Sequence, residues 1–521
     1  MRNLGSIFAI LSLAHAAQDV GLTVLTQQGA VAGTQVLPTV RQFLGIPFAT
    51  AQRWQAPQLP PLRGNTLQAI NFSDGCLQNL SPNNAEYLML NGNGGINAPA
   101  GEDCLFVNIW APSTKRRQDT AVLIWVYGGT FAFGTSGVPV FNGTNMIRDN
   151  DDIILVTFNY RLNIFGQPNA PQLSPQNNVN SGLLDVEAAI QWVHANIANF
   201  GGDPNRITIS GQSAGGIAVD AYTFSHPNDT IVKGMPQQGS KKSVVSGTVG
   251  GIILTNTPNN FTDWNGVASA VGCGSAATTQ QFTCMQKTSA RTLEQAVMST
   301  GAAFNLVIDN TTIPADTQTR ATNGDFLRVP LLVGSTAHEE DIFVVARQLS
   351  TSGIGYTIPA ITEIYSDAAT GFVGTCPSNR TAMLRLNANV PTFRYQYQGI
   401  FRSLSTRPDL RAYHSSEIPM IFGTYNDTVI NGATVPATLD QVALSKYMQS
   451  AWVAFARDPE GGLPKIGWPT YDPSTATLAQ LGNFFNTSGV VFGQSAWIDA
   501  VCSHPDVLGG IVVQIAPLLD G

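Results

Sequence analysis

Residues 206–216 read Arg-Ile-Thr-Ile-Ser-Gly-Gln-Ser-Ala-Gly-Gly, and this stretch decides the fold. Residues 206–210 form a short β-rich run that is typical of a buried strand. The rest is a Gly-X-Ser-X-Gly pattern, which predicts a tight, strained turn that lifts the hydroxyl of Ser213 off the sheet and then opens a helix. Gly211 and Gly215 flank the serine because side chains there would collide with the neighbouring strand and helix. A purely structural glycine-rich turn is the alternative for these residues alone.

Similar apolar runs occur on both sides of this stretch, and each predicts a buried strand. They are residues 121–127, 153–158 and 330–334. Residues 182–200 carry apolar side chains at helical spacing and predict an amphipathic helix. Because strand, helix and strand make the parallel crossover unit, we predict an α/β fold with a large, mostly parallel sheet flanked by helices. Residues 21–48 alternate apolar and polar side chains and predict small antiparallel strands near the N-terminus.

A second glycine-rich segment, Gly128-Gly129-Thr130, follows the run at residues 121–127. In α/β sheets ligands bind beyond the carboxyl ends of the strands, which is where this segment lies. Ester hydrolysis passes through a tetrahedral oxyanion, which backbone N–H groups stabilise when they are aimed at it. We predict that the N–H groups of Gly129, Thr130 and Ala214 form this oxyanion hole, the last one at a helix N-terminus. A Gly-Gly pair by itself is commonly a simple turn.

With these motifs the sequence resembles the type-B carboxylesterase/lipase family, which includes cholinesterases, fungal lipases and sterol esterases. The resemblance covers residues 20–510 and depends on several short segments. These segments are residues 43–49 (FLGIPFA), 102–110 (EDCLFVNIW), 159–162 (NYRL), 200–204 (FGGDP) and 211–216 (GQSAGG). The resemblance implies the α/β-hydrolase fold, a single domain over residues 18–521, and a carboxylic ester hydrolase with its triad in the order Ser, acid, His.

The same resemblance implies Glu339 as the triad acid and His414 as the base. The family's acid lies in a Gly-X-Asn-X-Asp-Glu-Gly-like segment, which corresponds to residues 334–341 (GSTAHEED). His338 and Glu340 replace the family's Asp and Gly, so Glu340 is an alternative acid. His414 begins a segment similar to the family's His-Gly-X-Glu. The implied mechanism is attack by the serine on the ester carbonyl, with His414 taking its proton and Glu339 orienting the imidazole, followed by hydrolysis of an acyl-enzyme.

The cysteines number six, and their spacing alone allows 15 pairings. The resemblance implies the disulfides Cys76–Cys104, Cys273–Cys284 and Cys376–Cys502. It also implies that Arg53 and Glu102 form an ion pair beside the first disulfide. Choline esters are not expected, because Gln212 replaces the cholinesterases' Glu and the segment between Cys76 and Cys104 contains no Trp to bind a quaternary ammonium.

The N-terminus predicts export from the cell. Residues 1–17 combine a short positive start, an apolar run and small residues at a cleavage site, which is the pattern of a secretory signal peptide. An ordinary buried helix is the alternative. An even number of cysteines without a CxxC pair favours disulfides in an oxidising compartment. Nine Asn-X-Ser/Thr sequons suit a secreted, extracellular glycoprotein. They begin at Asn71, Asn79, Asn142, Asn228, Asn260, Asn310, Asn379, Asn426 and Asn486.

Composition excludes several other classes of function. The net charge is −7 and no basic face is apparent, so a nucleic-acid partner is not expected. No stretch of 18 uninterrupted apolar residues occurs after the N-terminus, so no transmembrane segment is expected. The sequence contains no metal-ligand cluster or phosphate-binding loop, so neither a metal nor a cofactor is predicted. The expected partner is a small-molecule or lipid ester, with apolar carboxylic esters as the substrate class.

Two alternatives concern function. Some members of this fold have lost the triad and serve in adhesion, but Ser213 and His414 are both present here. The second concerns the loop between Cys76 and Cys104, where residues 87–90 (YLML) are followed by glycine-rich residues 91–95. If this apolar run is a mobile lid, the protein is a strict lipase or sterol esterase. If the run packs into the core, the protein is a carboxylesterase with a fixed pocket.

Overall fold

The predicted signal peptide, residues 1–17, lies outside the part of the chain that the structure describes, as do glycine-rich residues 92–95 and the sequon at Asn260. The computed structural model describes residues 21–91, 99–116, 119–173, 179–232, 243–247, 261–352, 359–405, 407, 410–427, 429–430, 433–504, 506 and 509.

The strands lie mainly in one large sheet, with three small sheets beside it. In chain order they are β1 (Thr23–Thr26), β2 (Gly29–Ala32), β3 (Thr34–Leu37), β4 (Val40–Pro47), β5 (Leu67–Gln68), β6 (Gly75–Cys76), β7 (Ala100–Gly101), β8 (Phe106–Pro112), β9 (Thr120–Val126), β10 (Ile153–Phe158), β11 (Gly202–Gln212), β12 (Ser243–Gly247), β13 (Leu331–Thr336), β14 (Thr392–Tyr397), β15 (Val429–Ile430), β16 (Ala433–Thr434), β17 (Leu478–Asn483) and β18 (Asn486–Gly493).

The helices pack mainly against the faces of the large sheet and over the carboxyl ends of its strands. In chain order they are α1 (Pro82–Leu90), α2 (Thr144–Asp149), α3 (Asn163–Gly166), α4 (Ser181–Asn196), α5 (Ala214–Ser225), α6 (Thr262–Ala270), α7 (Thr279–Lys287), α8 (Ala290–Thr300), α9 (Thr317–Asn323), α10 (Asp341–Ser352), α11 (Pro359–Thr370), α12 (Cys376–Asn387), α13 (Ile418–Phe422), α14 (Leu439–Arg457), α15 (Gly462–Lys465) and α16 (Ala496–Asp499).

Within the described residues, the large sheet has eleven strands in the order β18-β17-β14-β13-β12-β11-β9-β10-β8-β4-β3. Neighbours from β10 to β17 in this order pair in parallel, and antiparallel strands extend the sheet at both ends. Every residue of β9 and β10 is buried, because helices cover both faces of the parallel region. The predicted α/β architecture with a mostly parallel central sheet is therefore confirmed.

The predicted elements have nearly the observed bounds. The runs at residues 121–127, 153–158 and 330–334 correspond to β9, β10 and β13, and β11 begins at Gly202, four residues before the predicted strand. Helix α4 ends at Asn196 and a 3-10 turn follows, so the helix is shorter than predicted. Gly201 adopts a φ of 97°, a left-handed conformation that favours glycine and ends the helical path.

The parallel strands bring distant parts of the sequence to one edge of the sheet. Strands β9 and β11 are neighbours, with Val126 opposite Gly211 at their carboxyl ends. The segments that follow them, which contain Gly128 and Ser213, therefore lie side by side. Farther along the same edge, a parallel bridge joins His338, which follows β13, to Tyr413. The sheet thus brings the predicted nucleophile, oxyanion-hole, acid and base segments to one edge.

The disulfides are Cys76–Cys104, Cys273–Cys284 and Cys376–Cys502, the same pairs that the resemblance implies. Arg53 and Glu102 form the predicted ion pair, with two hydrogen bonds of 2.7 and 2.6 Å between guanidinium and carboxylate. None of the described helices is long and apolar enough to cross a bilayer.

Eight of the nine sequon asparagines lie in the described residues. Those with exposed side chains are Asn71, Asn228, Asn310 and Asn426. Those that are half-buried are Asn79, Asn142, Asn379 and Asn486. Glycosylation stays a prediction at all of them, and the exposed group offers the more accessible side chains.

Candidate active site

Ser213 lies on the turn between β11 and α5 in a strained conformation, with φ 57° and ψ −127°. The two flanking glycines make this turn possible. A Cβ atom on Gly211 would lie 2.4 Å from the carbonyl carbon of Gly215. A Cβ atom on Gly215 would lie 2.0 Å from the carbonyl oxygen of Val126, on the neighbouring strand β9. The collisions that the sequence predicts for side chains at both positions are thus present in the structure.

The glycine-rich segment after β9 approaches this turn closely. A Cβ atom on Gly128 would lie 2.8 Å from the Cβ atom of Ser213, so any other residue would push the two segments apart. Gly129, Thr130 and Phe131 all have positive φ angles, of 114°, 53° and 58°. Successive backbone groups in such turns form concave surfaces whose N–H groups bind anions. The segment is therefore shaped as an anion-binding turn beside the serine.

The three predicted oxyanion donors are available. Among the hydrogen bonds of the described residues, none is donated by the backbone N–H of Gly129, Thr130 or Ala214. Ala214 is the first residue of α5, where backbone N–H groups have no partner within the helix. Unpaired N–H groups beside a strained serine are suited to bind an oxygen that gains negative charge during a reaction.

Glu339 and His414 form a buried pair at the same edge of the sheet. His414 Nδ1 lies 2.6 Å from Glu339 Oε2, and both side chains are almost completely shielded from solvent. The other carboxylate oxygen, Oε1, accepts a 2.6 Å hydrogen bond from the backbone N–H of Thr336. Of the two candidate acids, Glu339 is therefore the one that contacts the histidine, and Glu340 does not bond to it. Donation from Nδ1 to Glu339 leaves the lone pair of neutral His414 on Nε2.

A π-helical turn, Gly371–Thr375, packs on the acid from the other side. A Cβ atom on Gly374 would lie 2.6 Å from Glu339 Cγ. The next residue but one, Cys376, is tied to Cys502 by a disulfide. This turn therefore fixes the position of the Glu339 side chain through close contact. No signal in the sequence indicates its role, because its importance depends on a contact between segments far apart in the chain.

The electrostatic environment favours protonation of His414. Burial alone lowers the pKa of His414, but the hydrogen bond and the charge of Glu339, with the charges of Glu417 and Glu340, outweigh burial and raise the pKa above its ordinary value. Burial raises the pKa of Glu340 to about 7; the charges of Glu339 and Asp341 add to this effect, and that of His414 opposes it. The pKa of the histidine is therefore raised by its carboxylate neighbours, and one of those neighbours, Glu340, has a pKa of about 7.

The structure does not join Ser213 to His414 by a hydrogen bond within the described residues. Instead, His414 Nε2 lies 3.0 Å from the side-chain Nε2 of Gln212, the residue just before the serine. The same amide nitrogen donates to Ser415 Oγ at 3.1 Å, and Ser415 Oγ lies 2.7 Å from the hydroxyl of Tyr87. Sequence reasoning missed this chain of contacts, since Gln212 was considered only as a replacement for the cholinesterases' Glu.

A cavity adjoins the serine turn, the glycine segment and helix α1. Its lining combines aromatic, aliphatic and uncharged polar groups, and no charged side chain is among them. The lining residues are Tyr87, Leu88, Asn91, Tyr127, Gly128, Gly129, Phe133, Gly134, Thr135, Val138, Val140, Phe141, Gln212, Ser415, Ile418 and Pro419. Such a lining suits an apolar, uncharged ligand group.

Helix α1 belongs to the loop closed by Cys76–Cys104 and forms one wall of this cavity. Tyr87, Leu88 and Leu90 are buried in one cluster with residues of α10, whereas Met89 is 55% exposed. Tyr87 also stacks on Phe343 of α10, with ring centroids 5.2 Å apart. The segment is thus packed as the core alternative expects, and movement of this loop as a lid stays a prediction.

Comparisons with known proteins identify the family of this chain. The model of the carboxylesterase family matches residues 21–355. A chlorogenic acid esterase from Aspergillus niger is 34% identical over 456 residues, which cover 85% of this chain and 84% of that protein. Secreted lipase 5 from Gibberella zeae is 31% identical, covering 85% of this chain and 86% of that protein. A solved PNB esterase superposes with a TM-score of 0.73 at 25% identity, covering 91% of this chain and 97% of the other. The chain therefore belongs to the carboxylesterase family, and the protein is a carboxylic ester hydrolase with the α/β-hydrolase fold.

Proposed function

We propose that Ser213, His414 and Glu339 are the catalytic triad of this ester hydrolase. The observation that carries the proposal is the placement of a strained serine, unpaired backbone N–H groups and a buried His–Glu pair at one edge of the sheet. In the proposed reaction, His414 Nε2 accepts the hydroxyl proton while Ser213 Oγ attacks the ester carbonyl carbon. The imidazolium then protonates the leaving alcohol. Water, activated by His414, hydrolyses the acyl-serine and restores the enzyme.

The proposed oxyanion hole consists of the N–H groups of Gly129, Thr130 and Ala214. The carbonyl oxygen gains a full negative charge in the tetrahedral intermediate, and donors fixed in advance stabilise that charge without reorganisation. The role of Glu339 in this proposal is to orient the imidazole and stabilise its positive form. The 2.6 Å contact between Glu339 Oε2 and His414 Nδ1 supports this role.

The proposed substrates are uncharged esters with an apolar or aromatic group. The uncharged lining of the cavity, with Phe133, Phe141 and Val138 on its walls, supports this class. Two relatives, 34% and 31% identical, are named chlorogenic acid esterase and secreted lipase 5, which supports an ester substrate. We further propose that the protein is exported, on the basis of the N-terminal pattern at residues 1–17 and the three disulfides.

The test compares Ser213→Ala with Ser225→Ala. Ser225 is the last residue of the same helix α5 and its hydroxyl donates to the carbonyl oxygen of Ala221, so this variant controls for loss of a hydroxyl nearby. With 4-nitrophenyl butyrate as substrate, Ser213→Ala is expected to lower kcat by about 10⁶-fold and Ser225→Ala by less than about threefold. Mass spectrometry after treatment with an organophosphate should find the adduct on Ser213. Labelling of another serine, or retained activity in Ser213→Ala, would refute the proposal.

A further inference from the structure

We propose that Gln212 is a positioning residue that holds His414 in a resting state, occupying the nitrogen that must accept the proton of Ser213. The proposal rests on the triad assigned under the proposed function. It begins from the 3.0 Å contact between the Gln212 amide nitrogen and His414 Nε2, together with the missing Ser213–His414 hydrogen bond in the described residues.

The tautomer of the His414 ring determines which group donates in the contact between Gln212 and His414. His414 Nδ1 donates to Glu339, so the neutral ring has its lone pair on Nε2. The Gln212 amide nitrogen carries two hydrogens, and it also donates to Ser415 Oγ. One amide N–H therefore points to the imidazole lone pair and the other to the hydroxyl of Ser415. A single lone pair accepts one good hydrogen bond at a time, so Gln212 and Ser213 compete for it.

The side-chain amide of Gln212 is also held by its second hydrogen bond, to Ser415. Ser415 Oγ, its other acceptor, contacts the hydroxyl of Tyr87 at 2.7 Å, and Tyr87 lies on α1 in the wall of the cavity. Gln212 itself also lines this cavity. An ester that enters the cavity therefore meets the groups that hold the amide, and displacement of the amide frees Nε2 for Ser213. Occupancy of the site and activation of the base are in this way coupled.

Several charged and titratable groups face His414 and also act on its charge. They come from different elements: Glu339 and Glu340 follow β13, Glu417 lies just before α13, and Tyr87 lies on α1. The carboxylates favour the positive ring. The amide N–H of Gln212 favours the neutral ring, because a donor faces the lone pair and would face another donor if Nε2 were protonated. Removal of the amide should therefore raise the pKa of His414, whereas removal of a carboxylate should lower it.

The experiment measures the rate of inactivation by diethyl 4-nitrophenyl phosphate as a function of pH in Gln212→Met. Methionine has a similar shape and cannot donate a hydrogen bond. At high pH, where His414 is neutral, the variant should react about two- to tenfold faster than the wild type, the factor that corresponds to one net hydrogen bond. At low pH the two rates should coincide, because the amide competes only for the neutral ring. The acid limb of the pH–rate profile should consequently move to higher pH, and the size of this move in pH units should equal the decimal logarithm of the same factor.

Two further variants separate this role from a structural one. Ser415→Ala removes the second acceptor of the amide and should change the profile in the same direction but less. Gln281→Met removes a buried glutamine of α7 that bonds Trp264 and Asn265, so it should lower the Tm without moving the acid limb. If Gln212→Met reacts at the same rate as the wild type, or more slowly, at high pH, the resting contact does not limit the base and the inference is wrong. If the wild type does not react with the organophosphate at all, the proposed function fails instead.

Discussion

The two sides of the active site are built by different kinds of interaction. On the nucleophile side, the turn at Ser213 is shaped by backbone sterics, with would-be Cβ contacts of 2.0–2.8 Å at Gly128, Gly211 and Gly215. On the acid–base side, Glu339 and His414 are 75 residues apart in sequence and are held by buried hydrogen bonds between side chains. The first side should tolerate no added atom, whereas the second should be sensitive to where charges and donors lie.

The strongest test of this difference is Gly215→Ala. The new Cβ would meet the carbonyl oxygen of Val126 at 2.0 Å, and backbone in the centre of the sheet cannot move away cheaply. We expect a loss of esterase activity of at least about 10³-fold, together with a destabilisation of about 4 kcal/mol or more, as for other severe steric conflicts in a core.

The matched control for this substitution is Gly266→Ala in helix α6. Apart from its chain neighbours and the backbone of its own helix, nothing lies within 4 Å of its would-be Cβ, so alanine should stabilise the helix by roughly 0.5–1 kcal/mol and leave activity unchanged. Thermal unfolding and hydrolysis of a soluble ester measure both effects. An active and stable Gly215→Ala enzyme would show that the nucleophile turn can relax, and the contrast between the two sides would disappear.

The sequence predicts these two sides to different extents. A strand followed by Gly-X-Ser-X-Gly carries the local geometry of the nucleophile turn, so that Gly211, Ser213 and Gly215 could be assigned from neighbouring residues alone. The acid and base required a family resemblance, which left Glu340 as an alternative to Glu339. The contact of Gly374 with Glu339 was not predictable, because it forms only where distant segments meet in the folded chain. The position of the Gln212 amide was missed for the same reason.

On the acid–base side, the largest effect is expected from Glu339→Gln. The backbone N–H of Thr336 donates to Oε1, which holds an oxygen there and turns the new amide nitrogen towards His414 Nδ1. Because Nδ1 must then accept a hydrogen bond, the ring proton moves to Nε2 and the base is lost. We expect kcat to fall about 10⁴-fold, as for other triads with the wrong tautomer. Glu340→Gln, the matched control one residue away, should keep kcat within about tenfold, and the reverse ranking would assign the acid role to Glu340.

The smallest effect is expected in the pH profile of Glu340→Gln. The pKa of Glu340 is raised by burial to about 7, and its ionised form contributes to the raised pKa of His414. Removal of that charge should lower the pKa of His414, so the acid limb of kcat/KM should move to lower pH. The variant should be roughly two- to fivefold more active near pH 7, which corresponds to an interaction of about 0.5–1 kcal/mol.

The way in which the rate difference between Glu340→Gln and the wild type varies with pH identifies the cause of that difference. Well below pH 7 the carboxyl group of Glu340 is itself protonated and exerts no charge, so the wild-type and variant rates should converge. At high pH His414 is neutral in both proteins, and the rates should converge again. A simple loss of packing would lower the rate at every pH instead. A rate difference confined to the region around pH 7, with an acid limb that moves in the direction opposite to that of Gln212→Met, would show that the acid–base side responds to individual charges and donors. A constant ratio across the profile would mean that Glu340 acts through packing, and that both sides of the site depend on shape.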